Sequence, residues 1–189
     1  MNTLEIIGTA IGLLYLYWEY RASAWVWAAS IAMPAIYLAV YFSAGLYADF
    51  AISIYYILAS VYGLVCWLRG SSAHSGPAIP ISHTPRRLIL PLTAVFALLF
   101  GLIGLALSRF TDSTVPWADA FTTALSIVAM WMLARKYAGQ WLVWTVVDIA
   151  SAALYAYKHL PFTATLYLIY AIVAVFGYRK WLRLIPEEK

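Results

Sequence analysis

The chain has 189 residues, of which 65% are apolar and only 11% are charged. Its mean hydropathy is +0.81, and its formal net charge is +4. A soluble domain carries about 45–50% apolar and about 25% charged residues, and a fold of this length leaves much of its surface in water. A cytosolic enzyme and a nucleic-acid-binding domain are thereby excluded. The single cysteine, Cys66, excludes a disulfide framework and a cysteine-based metal site. What remains is an all-α integral membrane protein.

A membrane-crossing helix needs about 20 mostly apolar residues. Seven such stretches run in chain order over 4–20, 25–43, 46–67, 88–107, 118–134, 141–157 and 162–178. The first lacks a basic leader, carries Glu5 and is followed at once by further spans, so it is expected to stay as a helix rather than be cleaved. The one long connection, GSSAHSGPAIPISHTPRR at 70–87, is rich in Gly, Ser and Pro and reads as a flexible linker. It divides three spans from four.

In the seven-span arrangement Arg21, Arg69, Arg86, Arg87, Arg135, Lys136, Arg179, Lys180, Arg183 and Lys189 fall on one side. Only Arg109 and Lys158 fall on the other. Basic residues favour the cytoplasmic side, so the N-terminus is expected outside and the C-terminus in the cytoplasm. The pI of 9.2 is then positive-inside charge, and no nucleic acid is needed to explain it.

Shifting the chain by 114 residues lays VYGLVCWLR (61–69) on VFGYRKWLR (175–183). The same offset pairs Thr9 with Thr123, Arg21 with Arg135, Trp27 with Trp141, Tyr41 with Tyr155 and Tyr56 with Tyr170. Residues 1–69 and 113–189 therefore read as two copies of a three-helix unit. Residues 70–112 are the linker and the connecting helix, and the whole is one transmembrane domain. An odd unit fused directly would invert its copy, and one extra span restores parallel orientation. This 3+1+3 arrangement of parallel repeats is the architecture of SWEET-type carriers, with substrate expected between the repeats near the bilayer midplane.

Ionisable groups inside a span cost roughly 2.5–3.5 kcal/mol, so each is a functional-site hypothesis. Asp148 is the clearest, in the middle of WLVWTVVDIASAALY. Trp141, Trp144 and Asp148 follow i, i+3, i+7 and share a helical face. Two indoles and a carboxylate suit a flat cation through stacking, cation–π attraction and charge. A tryptophan belt at the interface accounts for Trp141 but not for an acid two turns deeper. Asp49, Ser53 and Tyr56 (i, i+4, i+7) make a second polar face on the third span. Trp27 is the counterpart of Trp141, and Pro34 aligns with Asp148. Gly63 and Gly177 match across the offset and read as points of close helix packing. Asp119 reads as a charge at a helix start. The histidines His74, His83 and His159 have no ligand spacing, so neither a metal nor a cofactor is expected.

These segments resemble the PnuC family of bacterial vitamin transporters over nearly the whole chain. The resemblance is carried by GLLYLYWEYRAS at 12–23, AGLYADFAISIYYILASVYG at 44–63 and the segment 141–181. Its most specific element is similar to a WxxWxxx[ND] substrate motif, here Trp141, Trp144 and Asp148. The resemblance implies a bacterial inner-membrane carrier of nicotinamide riboside working by facilitated diffusion, with the vitamin trapped by a cytosolic kinase. It also implies a homotrimer. One departure stands out: Ser53 occupies a position where riboside carriers of the family tend to have glutamine. Thiamine is the alternative substrate, since it too is a flat cation and two acids suit it. Riboflavin, being neutral, is favoured less.

Three other classes compete. A vitamin-binding subunit would need an ATPase partner to release its substrate. A membrane enzyme would need a nucleophile–base pair or a metal set, and neither is present in the sequence, so the chain is expected not to be an enzyme. A proton-coupled symporter would use Asp148 as its proton carrier.

Overall fold

A computed structural model describes the backbone of residues 3–43, 47–69 and 79–186. The side chains of residues 3–10, of 43 and 47–49, and of several residues between 33 and 51 are not described, so Asp49 lies outside the described residues. Among the described residues the seven expected spans appear as seven helices. They are α1 (Thr3–Tyr20), α2 (Trp25–Ser43), α3 (Tyr47–Arg69), α4 (Arg86–Phe110), α5 (Pro116–Ala134), α6 (Gln140–Tyr157) and α7 (Pro161–Arg183). Among the described residues α4, α5 and α7 are each long and apolar enough to cross a membrane. α7 runs five residues beyond the expected end at 178, because Tyr178–Arg183 continues the helix with charged side chains suited to the headgroup zone.

The chain divides into two compact units, Met1–Pro80 and Ile81–Lys189. In the first, α2 packs against α1 and α3. In the second, α4, α5, α6 and α7 pack in sequence, most extensively α6 on α7. The expected connecting helix α4 thus belongs to the second unit. It meets α5 through aromatic edges: Phe96 on Phe121 (5.7 Å between centroids) and Phe100 on Trp117 (5.4 Å). Between its charged ends it exposes large apolar side chains such as Leu90, Leu98 and Leu102.

Local sequence explains where the helices start and stop. Pro116 and Pro161 open α5 and α7, where a missing N–H costs nothing. α1, α5 and α6 end on left-handed residues, Ala22 (φ 50°), Lys136 (φ 54°) and His159 (φ 58°). Each is followed by a six-to-one backbone hydrogen bond: Ser23 N–H to Trp18 (2.9 Å), Tyr137 N–H to Met132 (3.0 Å) and Leu160 N–H to Tyr155 (2.9 Å). This is the Schellman ending, built here without glycine.

The offset of 114 recurs in packing. In the first unit Trp27 is completely buried, lies against Gly63 and meets Trp67 edge-on at 5.6 Å and 90°. In the second, Trp141 is completely buried, lies against Gly177 and meets Trp181 edge-on at 5.8 Å and 87°. The expectation that the two glycines mark close helix packing holds. An indole fills the space that a Cβ would need.

Candidate functional site

The second unit carries the residues that break the apolar rule. Along α6, Gln140, Trp144, Asp148, Ser151 and Tyr155 fall on one stripe, at i, i+4, i+8, i+11 and i+15. Gln140, Asp148 and Ser151 are buried. Asp148 is only 6% exposed, and the structure gives it no hydrogen bond or ion pair among the described residues. A carboxylate buried without a partner is costly unless a cation or a proton offsets its charge. Two tyrosines of α7, Tyr167 and Tyr170, lie within electrostatic reach of it.

Those tyrosines belong to a cluster that the sequence reading did not single out. Tyr155 of α6 stacks on Tyr167 at 5.2 Å and 19°, and Tyr167 meets Tyr170 edge-on at 5.6 Å. The signal was in the sequence: Tyr155 is seven residues after Asp148, and both Tyr155 and Tyr170 repeat a tyrosine at the offset of 114.

Trp144 is half-buried, and its Nε1–H is buried with no acceptor among the described residues. It combines a partly exposed indole with an unspent donor one helical turn from Asp148. Trp141 is placed differently. Its ring is wedged between Gly177 and Trp181 and has no exposed surface. The shared face expected for Trp141, Trp144 and Asp148 is present on α6, but Trp141 is engaged by α7. Its backbone carbonyl also accepts the Thr145 hydroxyl at 2.8 Å. Trp27 is held in the same way by Gly63 in the first unit.

In that first unit Ser53 is buried and Tyr56 is partly buried, its ring edge-on to Tyr55 at 5.6 Å. The Ser60 hydroxyl donates to the Tyr56 carbonyl at 2.6 Å, a bond that stays within α3.

Outside the stripe, two devices brace the second unit. Asp119, in the first turn of α5, accepts from the Ser113 hydroxyl (2.7 Å) and pairs with Lys158 at the end of α6 (3.0 Å). The helix-start charge read from the sequence is thus also a tie between α5 and α6. At the opposite ends of these helices, Ser82 donates its N–H to Lys136 (3.2 Å) and accepts from Ala138 (2.9 Å). This bridge straps the end of the linker across the α5–α6 turn. Burial in that turn pushes the Lys136 ammonium below the ordinary lysine value, since desolvation disfavours the charge.

Comparison with known proteins places this arrangement. The family described as nicotinamide mononucleotide transporter matches residues 2–183. The chain belongs to that family. It is similar to the nicotinamide riboside transporter PnuC of Escherichia coli, 23% identical across all of this chain and 88% of the relative. It is also similar to the riboflavin/roseoflavin transporter RibM of Streptomyces davaonensis, 24% identical over 94% of this chain and 83% of the relative. Among solved structures, the crystal structure of the vitamin B3 transporter PnuC matches with a TM-score of 0.69 at 22% identity. That match covers 93% of this chain and 79% of the other, and it shows the shared fold. The nicotinamide mononucleotide transporter family consists of membrane carriers rather than enzymes. This chain is accordingly a multi-pass membrane protein and a vitamin transporter.

Proposed function

We propose that the chain carries nicotinamide riboside across the bacterial inner membrane by facilitated diffusion. The observation that carries this reading is Asp148, a buried carboxylate in mid-helix with no partner of its own and a partly exposed indole, Trp144, one turn away. A pyridinium supplies both the missing charge and a flat face for the ring. Trp144 stacks on the cation and Asp148 pairs with its charge. Trp141, held by Gly177, forms the wall behind them and fixes the rotation of α6. Asp49, Ser53 and Tyr56 are the first unit's candidate contacts for the substrate, and Trp27, held by Gly63, is its counterpart of the Trp141 wall.

The repeats are parallel, with α4 as the unmatched connector. The paired tryptophan–glycine contacts and the paired left-handed turns at offset 114 support this reading. The N-terminus lies outside and the C-terminus in the cytoplasm, supported by the ten-to-two distribution of Lys and Arg. Uptake is completed by a cytosolic kinase that phosphorylates the vitamin, and the carrier assembles as a homotrimer. Two substrates stand as second readings. The Streptomyces relative favours riboflavin, a flat ring bearing a hydroxylated chain. Thiamine remains the alternative suited to Asp49 together with Asp148.

Calorimetric titration of the purified protein with nicotinamide riboside, thiamine and riboflavin tests the substrate. Riboside binding that Asp148→Ala weakens is the expected result, by about 10–100-fold for a lost charge-assisted contact. Retained affinity in that variant refutes the charge pairing. Riboside uptake into liposomes holding only this protein separates a carrier from a subunit that depends on an ATPase partner.

A further inference from the structure

The start of α6 holds a polar group that neither the fold nor Asp148 uses. Gln140 has no exposed surface, and neither its Oε1 nor its Nε2 has a hydrogen-bond partner among the described residues. A buried amide left unsatisfied is destabilising, and buried polar groups are almost always met by something. Thr84 Oγ1 is buried and unpartnered as well, and it packs on Gly139, the residue before Gln140. The strap from Ser82 to Lys136 and Ala138 holds Thr84 there. One turn further along α6, the Trp144 Nε1–H is a third unspent group. All three belong to the second unit.

The fold itself does not require an amide at this position. At the offset of 114 the counterpart of Gln140 is Val26, which also has no exposed surface. The two residues follow the same turn: Val26 N–H donates to Ser23 at 3.1 Å, and Gln140 N–H donates to Tyr137 at 3.1 Å. An apolar side chain therefore fills the equivalent place in the first unit. The glutamine adds hydrogen-bonding capacity at a cost in stability, and it does so on the stripe that carries Trp144 and Asp148.

We propose that Gln140 is a specificity-determining residue that reads the hydroxylated part of the substrate, with Thr84 and the Trp144 Nε1–H completing the subsite. Gln140 and Asp148 are eight residues apart, roughly 12 Å along the helix axis. That separation matches a molecule with a flat ring at one end and a sugar at the other. A primary amide both donates and accepts, so it engages two neighbouring hydroxyls of a ribose or a ribityl chain. A vitamin with one terminal hydroxyl leaves part of the amide's two donors and two acceptor sites unmet. The site thus selects for a ring that carries a polyol, whether or not the ring is charged. This rests on Trp144 and Asp148 holding the ring, as proposed above.

The test is titration of the purified full-length protein with two pairs of probes. Nicotinamide riboside is compared with 1-methylnicotinamide, the same cation without the sugar. Riboflavin is compared with lumiflavin, the same ring without the ribityl chain. Gln140→Leu is expected to weaken the polyol-bearing member by about tenfold or more and to leave the other member unchanged. Gln140→Val, which installs the first unit's residue, is expected to do the same with a melting temperature at or above that of the wild type. This variant keeps the test valid if the leucine disturbs packing. Unchanged affinity for the polyol ligand, or equal loss for both members of a pair, overturns the proposal. So does a wild-type protein that binds neither polyol ligand. If riboside fails and riboflavin binds with the expected Gln140 dependence, the substrate reading falls and the subsite stands.

Discussion

Gly177→Ala gives the sharpest test of how α6 is held. A Cβ built on Gly177 lies 2.7 Å from Cδ2 and Cε2 of Trp141 and 2.8 Å from Cε3. Carbon atoms rest at about 3.5–4.0 Å, so the two helices must part by roughly 0.7–1 Å or the indole must turn. The indole has nowhere to turn, since both Trp141 and its neighbour Trp181 are completely buried. Overpacking of this kind costs about 1–3 kcal/mol, and the better helix propensity of alanine returns up to about 1 kcal/mol. The net loss of about 1–2 kcal/mol lowers the melting temperature by roughly 2–8 °C for a chain of this size. Thermal unfolding in detergent, followed by tryptophan fluorescence, reads it directly. Gly101→Ala is the internal control, because nothing lies within 4 Å of its added Cβ and α4 should be neutral or slightly stabilised. Riboside affinity should fall in Gly177→Ala and stay constant in Gly101→Ala. A Gly177→Ala protein that melts at or above the wild-type temperature would refute the wedge and the role given to Trp141.

Other substitutions probe the rest of the fold. Gly63→Ala meets the Trp27 indole in the same way and should destabilise to a similar extent, measured by the same melt. Lys158→Met removes the 3.0 Å pair with Asp119, whose partners are about a third exposed. It should cost no more than about 1 kcal/mol, and the difference from wild type should shrink as salt is raised. Ala22→Gly relieves a left-handed alanine at φ 50°. Its expected gain is about 0.5–1 kcal/mol, and a lower melting temperature would mean that the turn is not strained.

Helix number and boundaries were legible because a bilayer imposes long apolar runs, and Pro, Gly and charge punctuate them. The tight pairing at Gly63 and Gly177 was legible too, because a conspicuous VYG/VFG match leaves little else for a glycine to do inside a helix. The partners of those glycines were not. Periodicity put Trp141 on the face of Asp148, but a face is roughly 100° wide, and only packing against α7 shows which indole is consumed. The cluster at Tyr167 and Tyr170 does not stand out in the sequence, because a tyrosine in a membrane helix ordinarily reads as an interfacial anchor. The strap at Ser82 was illegible in principle. Its backbone bonds join residues more than fifty positions apart and use no particular side chain.

The two units show what the offset preserves and what it lets go. The left-handed turn, the buried tryptophan, its glycine and its edge-on partner are common to both, and all of these set helix packing. Two buried polar residues of the second unit are not shared. At that offset Val26 is buried where Gln140 is, and Pro34 aligns with Asp148. The first unit makes the same tryptophan–glycine contact without either group. Their restriction to one copy is the pattern expected of groups that answer to a ligand, and a single asymmetric molecule needs its charge met only once. Under the proposed function, the cost of burying Asp148 and Gln140 belongs to substrate binding rather than to folding. Replacing the pair together, as Asp148→Leu with Gln140→Val, should therefore raise the melting temperature in the absence of substrate while abolishing uptake into liposomes. A double variant less stable than wild type would return both residues to the scaffold.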